Sequence, residues 1–350
     1  MLFQLYGSTA MTQLLGWVLV FAGLVILNEI GRRTKIGGIV LFVIIPAVLT
    51  IYFITIQAGL FGGHSNQTYE YMNGWFHYAK LYAADIGVVG FLMIKYKWGI
   101  GKKEWFKPWP FVIVAINILI AVVSDFESAI RAYQITGDFS GAWWASNEGV
   151  FLYGGWWNIV NGIAGLINIF CMTGWWGIYS SKKKDDMLWP DMTIWFIVAY
   201  DIWNFEYTYC NLPTHTWYCG VALLLAPTFA NALWNKGGWI QNRANTLATW
   251  CMFAQVFPLF QVDGIFATLP VLYKYTGATT GMELSHFTLE QMNAAGAYPV
   301  AQGVMSILAV VANVICIAVI IKRAIEQKKN PYKNEIFAGT KDFEEAMDRA

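Results

Sequence analysis

Charge is what this sequence is short of. Only 13% of its 350 residues are Asp, Glu, Lys or Arg, about half the ~25% ordinary in a soluble domain. The 23 basic and 22 acidic residues leave a formal net charge of +1. A soluble enzyme, a disordered chain and a nucleic-acid binder working through bulk positive charge are excluded together. Histidine is scarce as well. His64, His77, His215 and His286 show no HxxxH or HExxH spacing, whereas a zinc site needs three or four ligands at fixed geometry. The five cysteines make no disulfide framework; only Cys210 and Cys219, flanking a short loop, are placed to bridge in an oxidising compartment, and they are equally well placed to stay two buried thiols. No Lys or Arg occurs in the first 31 residues, so no basic n-region and no ordinary signal peptide is expected. No nucleophile motif or phosphate loop occurs, and no cofactor is expected.

Apolar and aromatic residues fill the space that charge leaves. The chain is 57% hydrophobic, with 18 Trp, 18 Tyr and 23 Phe, and its mean hydropathy is +0.45. A spanning helix needs about 20 mostly apolar residues. Nine segments qualify, near 11–31, 37–57, 76–97, 109–130, 150–178, 190–211, 214–235, 245–272 and 297–321. Twenty of the 23 basic residues fall in the loops after odd-numbered segments or in the tail; the exceptions are Lys80, Arg131 and Lys274. By the positive-inside rule the N-terminus is outside and the tail is cytoplasmic. The expected fold class is therefore an all-α membrane protein of about nine transmembrane helices. The tail from 323 to 350 alternates charges and reads as a solvated segment.

An internal repeat runs through the middle. Trp98-Gly99-Ile100 and Trp176-Gly177-Ile178 each precede a lysine-rich loop that closes on Trp-Pro, at Trp109-Pro110 and Trp189-Pro190. Asp125-Phe126-Glu127 and Asn204-Phe205-Glu206 follow, so that Trp and Glu lie 29 residues apart in one unit and 30 in the other. A weaker third copy runs from Trp234 to Asp263. The domain expectation is an N-terminal two-helix addition over 1–60 and a seven-helix core over 61–322, with units at 73–130, 154–211 and 214–272.

Ionisable residues inside spans cost roughly 2.5–3.5 kcal/mol each on insertion scales and point to function by default. Asp85 and Asp201 lie deepest, and interface solvation explains them poorly. Asp125, Glu206 and Asp263 are shallower. Asn158, Asn161 and Asn168 share one helical stripe, which serves as cavity lining or as helix–helix glue. Glu127 and Arg131 have the spacing of an intrahelical ion pair. Lys80 is placed to neutralise Asp85 or Asp201. Fourteen of the 18 Trp fall at the ends of spans as interfacial belts; Trp195 and Trp203 do not. Trp203 and Tyr200 stand beside Asp201, Asn204 and Glu206, an arrangement that suits an organic cation as well as tight packing.

The run Ala199-Tyr200-Asp201-Ile202-Trp203-Asn204-Phe205-Glu206-Tyr207, the Arg32-Arg33 turn and the Trp-Pro hairpins together resemble an uncharacterised family of bacterial polytopic membrane proteins. That resemblance covers nearly the whole chain and implies an inner-membrane location but no activity. A retinal protein is excluded, because the last span has no lysine before Lys322. The leading expectation is a carrier of a small solute, proton- or cation-coupled, with an acidic and aromatic cavity open to the outside. Its partners would be the lipid bilayer and that solute or cation, with no nucleic acid. Two rivals are a membrane enzyme using His77, Asp85 and His215, and a sensor or assembly subunit without turnover.

Overall fold

The computed structural model describes residues 8–350 except 73, 148, 212–215, 255, 258–265, 267–273 and 275–285, and the backbone alone of Thr216 and Trp217. The chain is mostly helical. In order come α1 (Ala10–Arg33), α2 (Lys35–Ile39), α3 (Ile45–Gln57), α4 (Gln67–Tyr71), α5 (Trp75–Tyr96), α6 (Trp109–Thr136), the hairpin β1 (Ala142–Ala145) and β2 (Phe151–Gly154), and α7 (Trp156–Phe170). The short ribbon β3 (Tyr179–Ser180) and β4 (Met187–Leu188) follows. Then come α8 (Ile194–Phe205), α9 (Leu223–Leu233), α10 (Trp239–Phe253), α11 (Leu289–Ala295), α12 (Val300–Gln327) and α13 (Lys341–Met347). A π-helical turn, Val40–Ile44, joins α2 to α3, and others extend α8 through Glu206–Cys210 and open α9 from Thr216–Ala222.

Among the described residues four stretches are long and apolar enough to cross a membrane: Ala10–Arg33, Lys35–Gln57, Glu104–Thr136 and Val300–Gln327. The faces of α12 explain why the protein reads as a membrane protein. Gln302, Ser306 and Asn313 point inward and are fully buried, while Val304, Ile307, Val311, Val314 and Ile321 are exposed. A soluble amphipathic helix has the reverse polarity.

Local chemistry sets the helix ends. Pro110 opens α6 at its first turn, where a missing N–H costs nothing. Gly137, at φ 79°, closes it in the left-handed conformation that glycine adopts without penalty. The expected fifth span, 150–178, is helical only over Trp156–Phe170, because β2 takes its start and a turn follows Phe170. The expected eighth span starts earlier than its apolar run. Helix α10 begins at Trp239 and buries Gln241, Asn242, Arg243, Asn245, Thr246 and Thr249.

Two packed groups of helices form the core. One gathers α6, α7, α8 and α12; the other gathers α1, α3, α5, α9 and α10. Amides link helices in both. Asn168 Nδ2 donates to Asn313 Oδ1 at 2.8 Å between α7 and α12. Asn28 and Asn245 donate to Asn242 and Asn28, respectively, at 3.0 Å between α1 and α10. The hairpin β1–β2 lies at one end of the bundle against the last turns of α6; we call this the hairpin end.

The C-terminal residues pack at the opposite, tail end, and here the expectation of a solvated segment is corrected. Ile336, Phe337, Phe343 and Ala346 are buried. Phe337 N donates to Asp191 Oδ1 at 2.7 Å, and Gly174 N and Trp175 N donate to the carbonyls of Pro331 and Tyr332. Arg349 and Arg32 both pair with the wholly buried Asp186. Glu29 also pairs with Arg32 and Arg33, at 2.6 and 2.7 Å, and Lys95 Nζ donates to the Arg32 carbonyl. Burial of four apolar side chains and satisfaction of three cations outweigh the tail's mixed charge.

The tryptophans are also redistributed. Trp143, Trp157, Trp189 and Trp239 are buried in packing, not in interfacial belts, whereas Trp195 is about half exposed. All five cysteines are free thiols.

Candidate functional site

A cavity of about 1170 Å³, counting its open mouth, enters the bundle from the hairpin end. Its mouth lies between Trp75 on α5 and Ser146 and Asn147 on the β1–β2 turn. It reaches from Glu127 down to Asn117 on α6, ten residues, or about 15 Å at 1.5 Å per residue. Aromatic and apolar side chains make its walls: Phe76, Trp144, Trp203, Tyr207, Leu223 and Trp250. Trp203 stands where it does because α7 presents Gly165, where a Cβ would lie 2.7 Å from the indole nitrogen.

A second void of about 370 Å³ lies below the first, reaching Pro110 and Ile113 near the tail-end start of α6. The two share Asn117, Tyr200, Arg243 and Leu247, which form a waist between them.

Two cations attend this waist. Arg243, 6% exposed, donates from Nε to Tyr200 Oη at 3.1 Å, and its guanidinium lies 5.6 Å from the Tyr200 ring centre. Its Nη1 is buried without a hydrogen-bond partner. Lys80, 9% exposed, donates to the Asn117 carbonyl at 2.8 Å and lies 5.7 Å from both the Phe76 and Tyr207 rings. Among the described residues neither forms an ion pair with a carboxylate. Among the described residues the one carboxylate in the wall is Glu127, 3.5 Å from Arg131 on the next turn.

The expected site residues therefore divide. Tyr200, Trp203 and Asn204 line the cavity. Asp85, Asp125, Asp201 and Glu206 do not, nor do Asn158, Asn161 and Asn168. Asp125 is enclosed instead by three amide donors: Asn158 at 3.0 Å, Asn161 at 2.9 Å and Asn211 at 3.1 Å. Asn211 also lines the cavity and accepts from Gln302 at 2.8 Å. Asp201 accepts from Thr228 Oγ1 at 2.9 Å. Both Glu206 oxygens and Asp85 Oδ1 are buried without hydrogen-bond partners. Asp263 and His215 lie outside the described residues. His77 lines the cavity, its Nδ1 2.7 Å from the Tyr71 carbonyl oxygen.

The cavity is thus cationic and aromatic where the sequence pointed to an acidic one. The aromatic faces expected to receive a foreign cation hold the chain's own Lys80 and Arg243. Lys80 neutralises neither Asp85 nor Asp201, because its ammonium reaches across to α6 and is satisfied there by a backbone carbonyl. Arg243 was missed because it sits before the apolar run of its helix and counts, in sequence, as one more loop charge. Among the described residues no three His, Cys, Asp or Glu side chains gather as a metal site.

Over residues 7–349 the chain matches the model of a family of unknown function, DUF5692, and it belongs to that family. No curated protein and no solved structure is significantly similar to it.

Proposed function

We propose that this member of a family without an assigned activity is an integral membrane carrier for a small solute. The observation that carries the reading is the pair of neighbouring cavities, one open at the hairpin end and one reaching toward the tail end, which share Asn117, Tyr200, Arg243 and Leu247 in their walls. Buried, mostly apolar clefts with a few convergent polar groups are where small ligands bind. A carrier further needs a site that can open alternately to either side. Here the solute enters above the waist, and the waist is the barrier to the lower void.

The finer membrane arrangement belongs to the same proposal. Nine spans are formed by α1, α2–α3, α5, α6, α7, α8, α9, α10 and α12, in the plasma membrane of a bacterium. Their basic loops put the hairpin end outside and the tail in the cytoplasm. The units at 73–130 and 154–211 are duplicated hairpins, each entering on an exposed tryptophan, Trp75 or Trp156. In each, the Trp-Pro indole donates to a carbonyl of the preceding segment: Trp109 to Ile86 at 3.3 Å and Trp189 to Thr173 at 2.9 Å.

Two measurements test this. A cysteine at Asn147 should react with a membrane-impermeant maleimide on intact cells and one at Lys183 only after lysis; the opposite pattern overturns the orientation. A solute that raises the melting temperature of the purified protein should also undergo counterflow in proteoliposomes. Leu247→Trp, which fills the waist, should stop counterflow. Stabilising solutes that never exchange overturn the carrier reading.

A further inference from the structure

We propose that the cavity takes an organic carboxylate with an apolar or aromatic body, held by Arg243 and Lys80. The inference rests on the cavity being the solute site, but not on transport. Buried Lys and Arg are almost always paired with an acid. Among the described residues of this cavity they are not: Arg243 spends one donor on a phenol and Lys80 one on a backbone carbonyl, while Arg243 Nη1 has no partner there. The nearby acids are engaged elsewhere or stand off the wall. Asp201 holds Thr228, Asp125 holds three asparagines, and Glu206 and Asp85 do not reach the lining. Among the described residues no negatively charged acceptor reaches the two cations, and the ligand supplies one.

The shape of the donors selects the head group. A guanidinium presents a planar fork that matches a carboxylate through two parallel N–H···O bonds, and an ammonium adds a point charge beside it. The Arg243 fork is held in place by the Tyr200 hydroxyl and ring. The walls select the body. Above the two cations stand Phe76, Trp203, Tyr207, Leu223 and Trp250, which offer ring faces and aliphatic surface and few hydrogen-bond partners. A flat or aliphatic body gains by burial against these faces. An organic cation would meet two like charges.

The test holds the body constant and changes the head. Phenylacetate, indole-3-acetate and octanoate are each titrated into purified full-length protein alongside the corresponding alcohol and amine, with melting temperature and quenching of tryptophan fluorescence as readouts. At least one carboxylate should bind ten or more times tighter than its alcohol, and no amine should bind better than its acid. Arg243→Gln and Lys80→Met should each weaken that carboxylate at least tenfold, and Arg243→Lys should restore part of the loss. Equal binding of acid and alcohol across all three bodies, preference for the amine, or carboxylate binding unchanged in both variants overturns the proposal. If a variant fails to fold, the head-group comparison on the unaltered protein decides alone. Carboxylate binding without counterflow would leave the anion site standing and remove the carrier. Counterflow of amines or alcohols with no binding of acids would do the reverse.

Discussion

Two sets of buried cations, at different depths in the same bundle, are treated in opposite ways. At the tail end the buried Arg32 and Lys95 and the half-buried Arg349 sit among Asp186, Glu29 and backbone carbonyls, and both Asp186 oxygens are taken. Around the cavity Lys80 and Arg243 are also buried, and among the described residues no carboxylate pairs with them. The first set resembles a lock between chain segments distant in sequence: the end of α1, the β3–β4 loop and the last residues of the chain. The second resembles a receptor waiting for an anion. A buried charge that the protein neutralises itself does structural work, and one it leaves open is available to something else.

Removing one side of each set should expose the contrast, and the largest effect belongs to the tail end. Asp186→Ala leaves Arg32 with Glu29 alone and takes the carboxylate from Arg349, and breaking a buried pair from one side costs about 3–5 kcal/mol. The variant should lose most of its yield in detergent and melt far below the unaltered protein. If Asp186→Ala melts normally, the tail network is decoration.

The next effect is on pH. Asp185, in the loop beside this network, is pulled in two directions. Partial burial raises its carboxyl, but the Ser181 hydroxyl at 2.6 Å and the charges of Arg32 and Arg349 outweigh that and hold it below the ordinary carboxylate range. Its ionised form is therefore favoured by the fold. That contribution is present above the unfolded value near pH 4 and is lost as pH falls below it. Melting temperatures between pH 5 and pH 3 should fall less steeply in Asp185→Asn than in the unaltered protein.

The cavity should respond weakly. Arg243→Gln breaks no ion pair and one hydrogen bond, so its stability should change by about 1 kcal/mol or less without ligand. A loss comparable with that of Asp186→Ala would mean that Arg243 is paired after all and would erase the distinction between the two regions. The smallest effect is expected at the mouth. Glu127 and Arg131 are 35% and 50% exposed and 3.5 Å apart, and such pairs contribute about 0–1 kcal/mol. Glu127→Gln should melt within a degree or two of the unaltered protein.

The helical, apolar framework was legible in sequence, because apolar length is a local property. The chain is mostly helical, and four stretches among the described residues are long and apolar enough to cross a membrane. The tail and the tryptophans were not legible. Alternating charge says that a segment tolerates water, but Phe337 and Phe343 find a cover, and whether they do depends on residues 140 or more positions away, such as Asp191. Trp143, Trp157, Trp189 and Trp239 occupy belt positions in sequence and packed interiors in space.

The candidate site divides along the same line. That Tyr200, Trp203 and Asn204 matter was readable from one helix, since they share a stretch of α8. Their company was not. Which carboxylates face a cavity depends on how each helix is rotated about its axis, and rotation is set by packing partners. The amides Asn158 and Asn161 turn toward Asp125 and close it off, and Thr228 does the same for Asp201. By composition and spacing alone, the sequence determined that this is a helical membrane protein with charged groups at depth. The sign of its cavity was decided only by tertiary structure, because burial and pairing are relations between helices, and a charge becomes available or spent only when its neighbours are in place.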